Sequence, residues 1–188
     1  TLNNCFSTGS VSGTSAVGGL VGLNDSSTLS NCYSTGSVSG TEVVGGLVGI
    51  NVTSTLSNCY SKGDVTRSSG SSTNFGGFCG VNINSTIEYS YSIGDVNGGG
   101  WTDKGFVGDN SGTNTYTDNF FDKDASNQNT DAIGAATPET TVNMKTQTTI
   151  TDAGWDFGTD NTEWIMSSTI TYGGYPTFRW TGGYAVAP

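Results

Sequence analysis

Histidine is absent from this sequence of 188 residues, and basic residues are scarce: six lysines and arginines stand against sixteen aspartates and glutamates. The net charge of −10 provides no basic surface for phosphate groups, which argues against a nucleic-acid partner. Because no apolar run is long enough to span a bilayer, we expect no membrane insertion. The four cysteines also lack the histidines and the close spacing of a zinc site.

Helical patterning is missing as well, since no stretch of useful length repeats apolar residues at the spacing of one helix face. Glycine is abundant instead, with 29 residues against three prolines. Short apolar runs at 17–23 and 43–50 are interrupted by glycines and bounded by Asn, Asp and Ser. This pattern predicts short strands separated by tight turns.

The strands belong to a tandem repeat. Residues 4–24 read NCFSTGSVSGTSAVGGLVGLN, and residues 31–51 read NCYSTGSVSGTEVVGGLVGIN. A third copy at 58–82 carries a four-residue insertion, a fourth at 89–110 has diverged, and a fifth begins at 119–126. The anchoring positions advance by 27, 27, 31 and 30 residues, through Cys5, Cys32, Cys59, Ser90 and Phe120. One repeat cannot bury its apolar side alone, so each must stack on the next.

Stacking places equivalent residues above one another, about 4.8 Å apart in a parallel arrangement. We therefore predict an all-β fold, a parallel β-helix (solenoid) of about four to five glycine-rich coils with an aromatic C-terminal cap. The predicted apolar columns are Leu2/Leu29/Leu56/Ile87, Phe6/Tyr33/Tyr60/Tyr91/Phe121, Val11/Val38/Val65/Val96 and Leu20/Leu47/Phe78/Phe106. Three glycine columns fit corners that need positive φ or close backbone approach, namely Gly9/Gly36/Gly63/Gly94, Gly19/Gly46/Gly77/Gly105 and Gly22/Gly49/Gly80/Gly108.

The strings VGGLVGxN and NCYSTGxV resemble the GLUG repeat of surface and secreted proteins of bacteria and archaea. The resemblance covers 2–110, and the strings NFFDKDAS, MKTQTT, GWDF and GYPTFRW over 119–180 are similar to the stretch that closes such arrays. It implies a β-helical module of a larger exported protein, without catalytic residues to transfer. We accordingly predict repeats over 1–126, a capping segment over 127–180, a tail or linker over 181–188, and an extracellular or cell-surface location.

The start of the chain fits that expectation. TLNNC at 1–5 matches TLSNC at 28–32, so we expect the sequence to begin inside a coil of a longer protein. Such a first coil would leave unpaired backbone groups and apolar side chains at its edge, to be covered by an upstream coil or by a neighbouring copy.

Cysteine occupies two columns. Cys5, Cys32 and Cys59 share one, whereas Cys79 falls in a column of valines. Neighbouring Cα atoms at about 4.8 Å lie within disulfide range, although in-register parallel neighbours are not an easy geometry. We interpret all four as small buried thiols, because Ser90 replaces cysteine in the fourth repeat.

Two groups of acidic residues are candidate metal ligands. Asp64 and Asp95 occupy equivalent positions in successive coils, and such close carboxylates would raise one pKa or recruit a cation. Asp122, Asp124 and Ser126 have the alternating oxygens of a calcium loop, but Asn127 stands where its glycine would be. A solvated turn is the main interpretation of 122–126. The alternative ligand is Ca²⁺, and we expect no other cofactor.

Enzymatic activity is not expected. A β-helix that cleaves polysaccharides needs an acid–base pair in a groove, for which the candidates are Asp64 and Asp95 with Lys62 and Arg67. Both basic residues fall at positions that vary between repeats, and the chain has no long insertions to build the walls of a cleft.

Two further hypotheses concern carbohydrate, either bound to an exposed aromatic ring or attached covalently to asparagine. Trp101 lies on a loop of the fourth coil and would stack on sugars if exposed, whereas the aromatic residues of the tail are expected to form a hydrophobic plug. The Asn-x-Ser/Thr triplets at Asn24, Asn51 and Asn84 would place a row of glycans along one edge in a source that glycosylates asparagine.

Together these features predict a non-enzymatic, extracellular structural or adhesive module. Its partner would be a glycan or protein ligand outside the cell, or further copies of itself stacked end to end. The alternatives are a self-assembling filament subunit and a β-helix that binds or cleaves polysaccharide.

Overall fold

The computed structural model describes residues 1–71, 74–97, 104–157, 164–166 and 173–179. It divides into two units, Thr1–Thr140 and Thr141–Pro188. The repeats lie in the first unit. The predicted tail at 181–188 falls outside the described residues.

Each repeat forms one coil of very short strands, because glycine and corner residues end every strand after two to five residues. The first coil contains β1 (Leu2–Asn3), β2 (Phe6–Ser7), β3 (Val11–Ser12), β4 (Val17–Gly18) and β5 (Val21–Asp25). The second contains β6 (Thr28–Ser30), β7 (Tyr33–Ser34), β8 (Val38–Gly40), β9 (Val43–Gly45) and β10 (Val48–Val52). The third contains β11 (Thr55–Ser57), β12 (Tyr60–Ser61), β13 (Val65–Arg67), β14 (Asn74–Gly76) and β15 (Cys79–Ile83).

The fourth coil contains β16 (Thr86–Glu88), β17 (Tyr91–Ser92), β18 (Val96–Asn97) and β19 (Val107–Ser111). A partial fifth coil follows, with β20 (Thr115–Thr117), β21 (Phe120–Asp122), α1 (Lys123–Ser126) and a 3-10 turn (Ala132–Gly134). The next strand, β22 (Thr137–Glu139), stacks on β21 as the following rung. Strands at equivalent positions pair in parallel and form five stacks, β1-β6-β11-β16-β20, β2-β7-β12-β17-β21-β22, β3-β8-β13-β18, β4-β9-β14 and β5-β10-β15-β19. The predicted parallel β-helix is confirmed.

The predicted apolar columns are confirmed through the fourth coil. Leu29 pairs with Leu2 and Leu56, and Val38 pairs with Val11 and Val65. Backbone hydrogen bonds join Leu20 to Leu47, Leu47 to Phe78 and Phe78 to Phe106. Ring centroids in the aromatic column are 5.1, 4.8 and 5.1 Å apart along Phe6, Tyr33, Tyr60 and Tyr91.

The predicted register of the fifth coil was wrong by one residue. Tyr91 pairs with Phe120, not with Phe121. Asn119 therefore takes the place after Ser90 in the cysteine column, and its Oδ1 accepts a hydrogen bond from the Ser90 N–H across 29 residues. Phe121 is fully buried in the core. The preceding corner belongs to Asp118, whose φ is 48°.

The glycine columns serve close backbone approach rather than positive φ. A Cβ on Gly63 would collide with the carbonyl oxygen of Gly36, and neither glycine has positive φ. Positive φ occurs instead at side-chain-bearing corners between the stacks, where it lies between 47° and 53° at Asn4, Asn31, Asn58, Tyr89, Asp118, Ser26, Thr53 and Asn84. Adjacent coils can therefore pack at these glycine positions without side chains between them.

Two apolar clusters are seen among the described residues of the first unit. One is built around Val38, Val44, Val65 and Phe75. The larger includes the leucine column, three buried cysteines and the Phe78/Phe106 pair, and Ala132, Ala135 and Ala136 complete it. Residues 127–140, which the sequence had assigned to the capping segment, thus share a compact unit with the repeats.

The second unit is small and aromatic. It contains α2 (Thr141–Met144), α3 (Gln147–Thr151), and the antiparallel pair β23 (Trp164–Met166) and β24 (Pro176–Phe178). Trp155, Trp164 and Phe178 are buried, and ring centroids lie 4.6 and 4.4 Å apart along this series. Trp155 of GWDF, Trp164 of EWIM and Phe178 of YPTFRW therefore form a hydrophobic cluster.

Candidate functional site

The corners of the coils are joined by side chains that replace strand hydrogen bonds. Ser90 Oγ accepts from the Cys59 N–H at 3.0 Å and donates to the Glu88 carbonyl at 2.8 Å. In the next coil, Asn119 does the same with Oδ1 and Nδ2, through the Ser90 N–H at 3.0 Å and the Ile87 carbonyl at 2.8 Å. Cys, Ser and Asn are interchangeable in this column because each offers both a donor and an acceptor.

The thiol column lies at that same corner. Cys5, Cys32 and Cys59 donate to the carbonyl two residues earlier, at 3.3, 3.1 and 3.2 Å. Cys5 is half-buried, and the other two are completely buried. Cys79 is also buried, paired in its column with Val48 and Val107 as predicted. None of the four forms a disulfide in this structure.

Burial and neighbouring thiols separate the pKa values of the cysteines. A hydrogen bond with the Cys59 side chain lowers the pKa of Cys32 to about 7, outweighing the opposing effect of burial, and the backbone of Cys5 contributes in the same direction. Burial raises the pKa of Cys59 well above its ordinary value. Burial likewise raises the pKa of Cys79 to about 12. Of Cys32, Cys59 and Cys79, Cys32 is therefore the thiol that ionises most readily near neutral pH.

A ladder of buried asparagines runs along the stack β5-β10-β15. Asn24 Nδ2 donates to Asn51 Oδ1 at 2.8 Å, and Asn51 Nδ2 donates to Asn82 Oδ1 at 2.8 Å. Asn82 Nδ2 in turn donates to Asn114 Oδ1 at 3.1 Å and to the Tyr116 hydroxyl at 3.0 Å. Each amide is thereby satisfied inside the fold.

This ladder corrects the expectation of a row of glycans. Asn24 and Asn51 do hold equivalent positions, but they are 3% and 0% exposed, and their Nδ2 atoms donate within the ladder. A glycan needs that same nitrogen at the surface. Asn84 differs, because it is exposed and accepts a hydrogen bond from the Thr113 N–H at 2.9 Å through Oδ1. Of the three triplets, Asn84 alone keeps an exposed side chain.

The stacked carboxylates Asp64 and Asp95 are placed as the sequence predicted, in neighbouring coils beside Val65 and Val96. Asp64 Oδ1 accepts a hydrogen bond from the Asp95 N–H at 3.0 Å, and Asp95 Oδ1 accepts from Asn127 Nδ2 at 2.9 Å. These bonds connect successive coils at an exposed edge.

The candidate calcium residues lie at the start of α1. Asp122 is fully buried, and its Oδ1 caps the helix by accepting from the N–H groups of Asp124 and Ala125 at 3.0 and 2.9 Å. Asp124 is exposed, and Ser126 is buried. Across the described parts of the chain, no group of three or more His, Cys, Asp or Glu side chains is arranged to hold a metal. The sequence did not indicate the capping role of Asp122.

The basic candidates lie on aromatic rings. Lys62 Nζ is 5.1 Å from the centroid of the Tyr60 ring, and Arg67 Cζ is 4.6 Å from that of Phe75. Both are cation–π contacts between two side chains of the same coil. Trp101, the candidate for sugar stacking, falls outside the described residues.

Sequence reasoning missed a buried carboxyl group at the last coil. Asp131 Oδ1 accepts from the Val107 N–H at 2.6 Å, and Oδ2 is buried without a partner in hydrogen-bonding geometry. Burial raises the pKa of Asp131 to about 7, although the nearby backbone of Val107, Ala132 and Ala136 partly opposes this. In earlier coils a backbone carbonyl accepts the equivalent N–H, as Phe106 does for Cys79. Asp131 Oδ1 therefore takes the place of the backbone carbonyl that accepts this hydrogen bond in earlier coils.

An outward-facing row of hydroxyl groups lies on the stack β1-β6-β11-β16-β20. Thr55 pairs with Thr28 and Thr86, and Thr86 pairs with Thr115. The next residue of each strand points into the core, so the threonines project to the outside. A second row, two residues further along each strand, consists of Ser30, Ser57, Glu88 and Thr117. The sequence signal for this face was TLS, TLS, TIE and TYT at successive repeats.

Among the described residues, no helix has the length and apolar character needed to span a membrane. The family model of the GLUG motif matches the chain twice in tandem, over residues 13–39 and 40–66. No curated protein and no solved structure matches significantly. The two matched segments are adjacent and have the 27-residue period of the coils. They end within β8 and β13, which pair in register. The repeats that build residues 13–66 of this β-helix are therefore GLUG motifs.

Proposed function

We propose that this chain is a non-enzymatic structural module, displayed outside the cell, that adheres to a repetitive glycan through its hydroxyl face. The hydroxyl face is defined by the outward threonines Thr28, Thr55, Thr86 and Thr115 and by the second row beside them. This row is the observation that carries the proposal. The extracellular location rests on the resemblance of the repeats to those of exported proteins.

The spacing of the hydroxyl face suits a polymer better than a small molecule. Neighbouring coils repeat about every 4.8 Å, and the two rows lie roughly 6.6 Å apart on each strand. Thr28, Thr55 and Thr86 are half-buried, and Thr115 is exposed. Their methyl groups and hydroxyls can pack against and hydrogen-bond a chain of sugars, and a weak contact repeated along the face gains from avidity.

The test measures binding to insoluble and soluble polysaccharides of neutral and acidic type. Thr55→Tyr places a bulky ring in the middle of the face and should reduce binding at least tenfold. Thr66→Tyr is the matched control, because Thr66 is exposed on a different stack. Equal binding by both variants would refute the glycan proposal. New reducing ends or unsaturated products that disappear in Asp64→Asn or Asp95→Asn would instead support the polysaccharide-cleaving alternative.

A second candidate function is self-association, favoured by the apolar side chains of the first coil. Leu2, Phe6 and Leu23 are 38%, 55% and 57% exposed. Ala132, Ala135 and Ala136, from the chain after the last repeat, are buried in the same core cluster as the leucine column. Phe6→Asp should then abolish association in sedimentation velocity, whereas long fibres in electron micrographs would support the filament.

A further inference from the structure

The thiol column of Cys5, Cys32 and Cys59 brings sulfur atoms together on consecutive coils. Register on both sides fixes this arrangement, because Leu29 pairs with Leu56 and Tyr33 pairs with Tyr60. The Cα atoms of Cys32 and Cys59 are therefore about one coil apart, roughly 4.8 Å, within the range that a disulfide spans. We propose that Cys32 and Cys59 are an oxidisable dithiol, which hydrogen peroxide converts into a disulfide linking the second and third coils.

The two thiols differ in a way that assigns their roles. Cys59 is completely buried, and burial holds its pKa well above the ordinary value, so it keeps its proton. Its hydrogen bond is the largest influence that lowers the pKa of Cys32. The other titratable group acting on Cys32 is Cys5, on the neighbouring coil, which also lowers its pKa. Cys32 is accordingly the nucleophile and Cys59 the resolving thiol.

The chemistry balances with peroxide as the only co-reactant. The Cys32 thiolate attacks one peroxide oxygen, the O–O bond breaks, and hydroxide leaves to give a sulfenic acid on Cys32. The Cys59 sulfur then attacks the Cys32 sulfur, the S–O bond breaks, and the oxygen departs as water with the Cys59 proton. The two sulfur atoms supply the two electrons that reduce the peroxide.

The proposal requires that peroxide enter by local opening of the first coil. β1, β2 and β3 contain only exposed or half-buried residues, and Cys5 is half-buried above Cys32. Segments with so little burial open locally at low cost. Cys79 offers a contrast within the same core, because it is paired with valines and burial raises its pKa to about 12.

The experiment treats the reduced, full chain with hydrogen peroxide at pH 7 and maps its thiols by mass spectrometry. Chymotryptic cleavage after Phe6, Tyr33 and Tyr60 separates Cys5, Cys32 and Cys59. We expect the intact mass to fall by two hydrogen atoms, with the Cys32 peptide joined to the Cys59 peptide. A bond between Cys5 and Cys32, or oxidation that occurs only in urea, would overturn the proposal.

Two variants separate the hydrogen bond from the resolving role. Cys59→Ser keeps a hydrogen-bond donor in the side chain, like Ser90 in the next coil, but cannot form a disulfide with Cys32. Dimedone should therefore trap a sulfenic acid on Cys32 of this variant. The pH profile for alkylation of Cys32 should stay near that of the unmodified protein. Cys59→Ala removes both functions and should shift that profile upward by more than one pH unit. Cys79→Ser should change neither result. Identical alkylation profiles for Cys59→Ser and Cys59→Ala, or equal oxidation at Cys79, would refute the assignment.

Discussion

Asp131 makes the stability of the repeat unit depend on pH in the direction opposite to that of most carboxyl groups. Its side chain caps the last coil by accepting a hydrogen bond from the Val107 N–H through Oδ1, and its Oδ2 atom is buried. Burial is the main cause of a pKa raised from 3.8 to about 7. The folded state therefore binds this proton more tightly than the unfolded state does. The stabilisation is fully present below pH 4 and is lost as pH rises through 7.

The magnitude follows from the two pKa values. At about 1.4 kcal/mol per pH unit, a pKa that moves from 3.8 to about 7 corresponds to roughly 4 kcal/mol of unfolding free energy between pH 4 and pH 8. Asp131→Asn is neutral throughout this range and retains an oxygen that can accept from Val107. The unfolding free energy of the variant minus that of the unmodified protein should therefore rise with pH by this amount, because only the unmodified protein loses stability.

The assay is urea denaturation at several pH values, followed by far-ultraviolet circular dichroism. Taking the difference between the two proteins cancels the contributions of the other titratable groups. Asp109→Asn is the control, because Asp109 lies on β19 with Val107, the partner of Asp131, but is exposed. Parallel stability curves for Asp131→Asn and the unmodified protein would refute the reasoning. So would a loss of stability of Asp131→Asn relative to the unmodified protein as pH rises.

Two further changes test the contacts between coils. Asn51→Leu leaves Asn24 Nδ2 without its acceptor and Asn82 Oδ1 without its donor, so the unfolding free energy in urea should fall by about 2–5 kcal/mol; a loss below 0.5 kcal/mol would contradict the role of the ladder. Gly63→Ala forces a Cβ against the Gly36 carbonyl and should lower both the thermal midpoint and the unfolding free energy markedly. Gly9→Ala lies in the same column but has open space around it, so its unfolding free energy should stay within about 0.5 kcal/mol of that of the unmodified protein. Equal effects at the two glycines would refute the close-approach explanation.

Much of the β-helix could be predicted from the sequence because in-register stacking imposes one residue type on each column. Val38 must pack against Val11 and Val65, and any polar replacement would be buried. The same logic failed in the fifth coil. There the string NFF at 119–121 was aligned with NCY at 58–60, although the corner conformation had moved to Asp118. Repetition alone could not reveal that shift.

The candidate sites were harder to predict because their chemistry depends on burial. Asn24 and Asn51 matched a glycosylation triplet, and only the structure places their amides inside the fold. The useful signal was present, since equivalent asparagines in successive coils can bond to each other. Asp131 gave no comparable signal. It falls after the last repeat, where no periodic neighbour indicates which backbone group its carboxylate would meet.

The pairing of each coil with its neighbours alone has a consequence for how the chain folds. Contacts between neighbouring coils join residues separated by similar distances along the chain, such as 27 residues for Asn24–Asn51, 31 for Asn51–Asn82 and 29 for Ser90–Asn119. The entropy lost on closing a loop depends on that separation, so every added coil costs about the same, however long the array becomes. Once two coils have formed, each further coil can pair with the exposed strand edges of the coil before it. Folding therefore propagates along the axis from one repeat to the next. Under a pulling force applied along the chain, the same property would release the array coil by coil, in steps of one repeat.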